Sequence, residues 1–134
     1  MKLSILTGTE PALYALLAPF AMDRAIVREL GAPVYTNPGH RWVVARGDDG
    51  PLLGWAGVDL TRDGIAVLDW SYVLPEHRQQ GVFASLTRVR LDLSRGRTTT
   101  ASTAKPYLVA WYQRAGFAVT RQNGSWTYLR REQA

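Results

Sequence analysis

Ala66-Val67-Leu68-Asp69-Trp70-Ser71-Tyr72-Val73-Leu74-Pro75-Glu76-His77-Arg78-Gln79-Gln80-Gly81-Val82-Phe83, residues 66–83, is the stretch that decides the fold of this chain. Its first half is dense in β-branched, aromatic and aliphatic residues and reads as a strand. Pro75 ends it, because proline has no N–H to give to a sheet ladder. After Gly81, apolar residues fall at 82, 86, 89 and 93 with Phe83 beside them, one stripe of an amphipathic helix. The order is strand, polar turn with a glycine, helix. The first N–H groups of such a helix lack internal partners and carry the positive end of its dipole. A phosphate or pyrophosphate fits there. Gly81 lets the backbone come close to the anion, and Arg78 adds a guanidinium able to pair with phosphate oxygens. Taken alone, the same pattern also describes a plain strand-to-helix turn.

A second stretch, Trp111-Tyr112-Gln113-Arg114-Ala115-Gly116-Phe117, lies downstream. Together, Val73-x-Pro75-x-x-Arg78-x-x-Gly81 and Tyr112-x-x-x-Gly116-Phe117 resemble the acyl-CoA-binding motif and the later helix motif of the GNAT N-acyltransferase superfamily. Either half alone is weak; the specific signal is the pair, in this order and spacing.

Composition bounds the alternatives. The 134 residues are read as one domain, 1–134, long enough to bury a core without staples. With 46% hydrophobic and 20% charged residues, the balance is that of an ordinary globular protein. There is no cysteine, which excludes disulfides, thiolate metal sites and a cysteine nucleophile. Two histidines, His40 and His77, are too few for a convincing metal cluster, so no metal is expected. No apolar run reaches transmembrane length, and a cytoplasmic location without membrane association is expected. The net charge is +5, and of the 16 basic residues only Lys2 and Lys105 are lysines. Such a surface can serve nucleic acid, an acidic protein or a polyanionic cofactor, or simply be solvated. No block of five like charges occurs, which speaks against a nucleic-acid arm.

In chain order, Met1–Thr7 reads as a strand. Thr9 is then the expected N-cap of a helix over Ala12–Phe20, with Pro11 in its first turn. A second helical piece over Met22–Leu30 closes at Gly31. Residues 32–40, with two prolines and Asn37-Pro38-Gly39, are irregular and suit either a cleft wall or a connector. Arg41–Arg46 and Leu52–Leu60 form a hairpin around Asp48-Asp49-Gly50-Pro51, and Arg62-Asp63-Gly64 turns into the strand before the anion site. Gly54 and Gly57 within a strand mark a bulge or the close approach of another backbone. Thr98–Thr103 is extended, a helix opens at Pro106 and closes at Gly116, and Phe117–Arg121 and Trp126–Arg130 make a last hairpin with an Asn-Gly turn.

This order, β-αα-βββ-α-β-α-ββ, is that of the GNAT acyl-CoA N-acyltransferase fold. The resemblance implies an α/β (α+β) protein with a mixed, mostly antiparallel sheet flanked by helices. In that family one parallel strand pair splays apart, and the pantetheine arm of the cofactor enters the gap.

The resemblance also implies a reaction: transfer of an acetyl group from acetyl-CoA to a primary amine. The backbone from Gln79 through Gln80, Gly81 and Val82 to Phe83 would anchor the cofactor with Arg78 nearby, and an N–H near Val73 would polarise the thioester carbonyl. Tyr112 would protonate the departing thiolate, since a phenol of pKa about 10 keeps its proton until the thiolate forms. Two positions depart from the family pattern. Phe83 replaces a usual small residue, and Lys105 replaces a usual asparagine, with Ser102 or Thr103 as substitutes. Period-two alternation puts Asp69 and Ser71 on one face of the strand, and Asp69 is the best general-base candidate, or else the partner of an arginine across the sheet. The acceptor is a small-molecule or macromolecular amine, and the chain a monomer or homodimer. The alternative is a module of the same fold that binds cofactor, protein or nucleic acid without robust catalysis.

Overall fold

A computed structural model describes residues 1–133. The chain runs β1 (Lys2–Thr7), α1 (Pro11–Ala21), α2 (Arg24–Leu30), β2 (His40–Arg46), β3 (Leu52–Asp59), β4 (Ile65–Val73), a 3₁₀ turn (Pro75–His77), α3 (Val82–Leu93), β5 (Thr98–Thr103), α4 (Pro106–Arg114), β6 (Ala118–Asn123) and β7 (Trp126–Arg131). One seven-stranded sheet results, in the order β1-β2-β3-β4-β5-β7-β6. Every neighbouring pair is antiparallel except β4–β5, which are parallel and joined through α3. The expected α/β (α+β) architecture, with its single parallel pair, is therefore present.

Strand alternation sorts the core onto two faces. Trp42, Val44, Trp55 and Tyr72 meet Leu13 and Leu17 of α1 on one side. Their neighbours Val43, Ala45 and Ala56 point the other way, onto Val82 and Leu86 of α3. Farther along that second face, Val58, Ala66, Leu68, Ala101 and Leu129 pack with Tyr112 of α4 and with Phe117, and Phe83 and Leu91 of α3 join them. Of the two helices that bear the motif residues, α3 thus lies against β2–β4 and α4 against β5–β7, on either side of the parallel pair.

The helix starts differ from the reading by sequence. Glu10, not Thr9, is the N-cap of α1. Its carboxylate turns back to accept from the backbone N–H and the hydroxyl of Thr7, tying the helix to the end of β1. The second helix begins at Arg24 rather than Met22, because Asp23 accepts from the N–H groups of Ala25 and Ile26 and caps it there. Among the described residues no helix is long and apolar enough to cross a membrane.

Candidate active site

The site is built on β4, whose two edges behave differently. Toward β5 it pairs only at Ile65–Thr98, Ala66–Thr99 and Val67–Thr100, and then the strands part. Beyond that point β5 pairs with β7 alone, up to Thr103. Toward β3, β4 stays paired as far as Val73 but carries a bulge. Gly57 pairs with Asp69 and Ala56 with Ser71, so Trp70 is the extra residue, at a φ of 39°. The backbone N–H of Leu74 donates to the Leu53 carbonyl of β3 at 3.0 Å. Because N–H groups alternate along a strand, that of Val73 faces the other way, into the gap left by β5.

The bulge corrects the expected shared face of Asp69 and Ser71. Their partners Gly57 and Ala56 are consecutive in β3, so the two side chains leave β4 on opposite faces. Gly57 is required here: a Cβ on it would come within 2.6 Å of Asp69 Oδ1 and 3.1 Å of the Trp42 ring. Behind the bulge lies Arg90 of α3, only 1% exposed. Its Nη1 donates to the carbonyls of Gly57 (3.0 Å) and Asp69 (3.4 Å), and its Nη2 donates to Thr87 Oγ1 (2.8 Å). The sequence carries a signal for it, since Arg90 stands one turn after Leu86, within the buried stripe of the helix.

Asp69 does not pair with an arginine side chain; its partner is His40. The imidazole is fully buried, and its Nε2 lies 2.8 Å from Asp69 Oδ2. The backbone N–H of Asn37 donates to the other ring nitrogen, Nδ1, at 3.2 Å. With Nδ1 accepting, the proton sits on Nε2 and is given to the carboxylate. Both ring nitrogens are therefore committed. Asp69 Oδ1 has no partner among the described residues. Burial pushes the Asp69 carboxyl above the usual carboxylate range, against the opposing pull of the His40 hydrogen bond and the Arg90 charge.

Around the gap is a cavity of about 720 Å³, lined among others by Asp69, Ser71, Val73, Gln79, Gly81, Val82, Phe83, Ser102 and Tyr112. At its α3 end, Gln79 (φ 62°) and Gly81 (φ 84°) both take the left-handed conformation, and no side chain caps the helix. The first internal bond of α3 is from Ser85 N–H to the Gly81 carbonyl, which leaves the amides of Val82, Phe83 and Ala84 free of it. The space a Cβ of Gly81 would take is open. This is a cradle that fits a pyrophosphate. The side chain of Gln80 is exposed and reaches the Glu76 carbonyl, so Gln80 has only its backbone N–H to offer toward the cradle.

Arg78 meets a partner not expected from the sequence. Its Nε donates to the Val73 carbonyl at 2.8 Å, and its Nη2 lies 3.0 and 3.1 Å from the two oxygens of Glu29 on α2. The guanidinium is thus held by α2 and the end of β4 rather than left free for a phosphate. Lys105, just past β5, reaches the same carboxylate at 3.1 Å. Glu29 so bridges the segments that follow the two parting strands. Of the two substitutes for the missing asparagine, Thr103 is occupied by the Lys105 N–H at 3.1 Å, whereas Ser102 is exposed along the cavity.

Tyr112 owes its position to the end of its helix. Gly116 is left-handed (φ 96°), the Gly116 N–H donates to Gln113 O, and the Phe117 N–H donates to Tyr112 O. This is a Schellman cap, which brings the residue after the glycine against the residue that accepts its N–H. The rings of Phe117 and Tyr112 accordingly meet at 5.1 Å. Phe83, the bulky departure on α3, packs edge-on to Trp111 and Tyr112 at 5.4 and 5.9 Å. Tyr112 is 3% exposed, and its hydroxyl is not among the buried atoms that lack a partner.

A profile of the GNAT acetyltransferase family matches residues 11–117, and the chain belongs to that family. Among solved structures, an acyl-CoA N-acyltransferase from Pseudomonas aeruginosa is similar over 97% of this chain and 98% of its own, with a TM-score of 0.75 and 19% identity. Spermidine N-acetyltransferase from Vibrio cholerae, solved with CoA and spermine, is similar over 96% and 92%, with a TM-score of 0.73 and 17% identity. Nourseothricin acetyltransferase is similar over 77% and 75%, with a TM-score of 0.61 and 23% identity. At these identities the likeness establishes the fold. No curated protein matches the chain.

Proposed function

We propose that the protein is an acetyl-CoA-dependent N-acetyltransferase that moves an acetyl group directly to a primary amine. The observation that carries this reading is the cavity itself, which joins the uncapped start of α3, the parted strands, Asp69 and Tyr112 in one space. When bound, acetyl-CoA supplies an activated acetyl group on a thiol leaving group. The amides from Gln79 to Phe83 hold its pyrophosphate, Ser102 lines its arm, and the Val73 N–H polarises the carbonyl of the acetyl group. Asp69 takes the proton from the incoming ammonium, which makes the amine nucleophilic. The amine nitrogen bonds to the acetyl carbon as the carbon–sulfur bond breaks, and Tyr112 gives its proton to the sulfur; the proton that leaves the acylated nitrogen restores the phenol, and the one held by Asp69 passes to solvent. The spermidine enzyme among the similar structures makes polyamines sensible first members of an acceptor panel.

The test is an amine panel with acetyl-CoA, followed by thiol release, on the parent and on Tyr112→Phe. Phenylalanine keeps the ring contacts with Phe83 and Phe117 and removes only the proton donor. We expect kcat to fall about 10²- to 10⁴-fold with cofactor affinity nearly unchanged. A silent Tyr112→Phe removes the acid role, and thiol release with no amine removes the enzyme reading.

A further inference from the structure

We infer that His40 is the positioning residue of the general base: from two strands away on the same face of the sheet, it holds the Asp69 carboxylate in one orientation and favours its ionised form. The inference rests on the proposed role of Asp69 as base and extends it to a residue outside the cavity. Its basis is geometric. The His40 ring is 0% exposed and stacks on Trp42 at 5.5 Å, with Tyr35 edge-on at 5.7 Å. It therefore has no contact with an acceptor. The loop before it is built to keep one tautomer. Asn37 donates its N–H to Nδ1 and uses its own Oδ1 to hold the Gly39 N–H (2.8 Å) and the Thr61 hydroxyl (3.0 Å). Gly8 and Gly39 pack so closely on Asn37 and Thr61 that a Cβ on either would clash. A loop fixed in this way leaves the Nε2 proton nowhere to go but Asp69 Oδ2.

The consequence for Asp69 follows from its other neighbours. The charged groups that face it are Asp59 of β3, which disfavours its ionisation, and Arg90 of α3, which favours it. Arg90 spends its Nη1 on the Asp69 main-chain carbonyl, not on the carboxylate. Among the described residues, the one hydrogen bond to the carboxylate is the one from His40. Removing it leaves a buried carboxylate that ionises less readily, so the base is protonated over more of the working pH range.

Two substitutions separate the halves of the imidazole. His40→Asn puts an amide oxygen near the place of Nδ1, where it can accept from Asn37, but is too short to reach Asp69. His40→Gln extends an amide to the place of Nε2 and restores the donor. The readouts are the acidic limb of the kcat/KM–pH profile and the pH titration of the Asp69 carboxyl carbon by NMR. We expect the limb and the titration to move upward by about one unit or more in His40→Asn, and to stay near the parent in His40→Gln. A merely structural histidine would lower activity in both variants and leave the limb in place, which would overturn the inference. Asp69→Asn is the control. Full activity in it removes the base reading and the role of His40 with it. Loss of activity in it, with no shift in His40→Asn, removes His40 alone.

Discussion

The two edges of β4 use the same backbone to opposite ends. Against β3 the strand is paired as far as Val73, and its single irregularity, Trp70, is backed by Arg90 and accommodated by Gly57. Against β5 it pairs at three positions and then lets go. The paired edge fixes where side chains point; the unpaired edge supplies free N–H groups and room. A cleft made by withholding a neighbour needs no loop to form it, so its walls are as rigid as the sheet. The bulge then decides which side of the sheet each polar residue serves, sending Asp69 and Ser71 apart.

Breaking the unpaired side has the largest expected effect. In the parent, acetyl-CoA at a hundredfold excess over its Kd should raise stability by about 2.7 kcal/mol. Gly81→Glu should abolish that rise in a thermal-shift titration, since it sets a carboxylate in the cradle at a left-handed position. Gly81→Asn, which tolerates this backbone and adds no charge, should keep part of it.

On the paired side, Gly57→Ala forces a methyl group against Asp69 Oδ1 and Trp42. It should cost about 1–3 kcal/mol by urea denaturation and reduce activity more than cofactor binding. A Gly57→Ala protein of parental stability and rate would show that the bulge is not as tightly determined as its contacts imply.

The smallest effect sharpens the comparison through pH. The folded Asp69 carboxyl titrates above its ordinary value, mainly because it is buried. Between the unfolded and folded values the native state holds more protons than the unfolded chain, so this residue's contribution to stability declines as pH rises through that window. Above it the cost is fully present. Asp69→Asn removes the cost while keeping an oxygen for His40, so it should be slightly more stable than the parent at neutral pH. The advantage should vanish as pH falls below the ordinary carboxylate value. A Tm lower than the parent's at neutral pH would contradict the burial penalty.

What the sequence made legible was local. The anion turn is a glycine between a strand and an apolar stripe, and the Tyr112 motif is a helix end whose glycine and phenylalanine form the cap; both lie within a few residues. The connections that complete the site are long. His40 meets Asp69 across 29 positions, Glu29 meets Arg78 across 49 and Lys105 across 76. No periodicity reports such contacts. The bulge was only half marked: Gly57 signalled an irregularity on β3, but the residue inserted on β4 leaves no mark of its own when it is a tryptophan, a residue that rarely takes positive φ. Strict alternation therefore misassigned the faces of Asp69 and Ser71. The Glu29 partner of Arg78 was not foreseen, because a guanidinium after a strand can serve a phosphate or a neighbouring carboxylate, and only the approach of α2 brings the carboxylate to it. Arg90 could have been noticed, as an arginine in a buried stripe must find acceptors.

The short β4–β5 seam has one more consequence, and it is mechanical. On one side of it lie β1 to β4, on the other β5 to β7, and each set is contiguous in the chain and internally antiparallel. The cleft is thus the crack between two plates of strands, joined at its closed end by three residue pairs and through α3. Its open end is tied by Glu29 to both sides. A small rotation of one plate about that short joint changes the width of the cleft without breaking a strand in either, so the cavity sits at the part of the molecule where the sheet yields first.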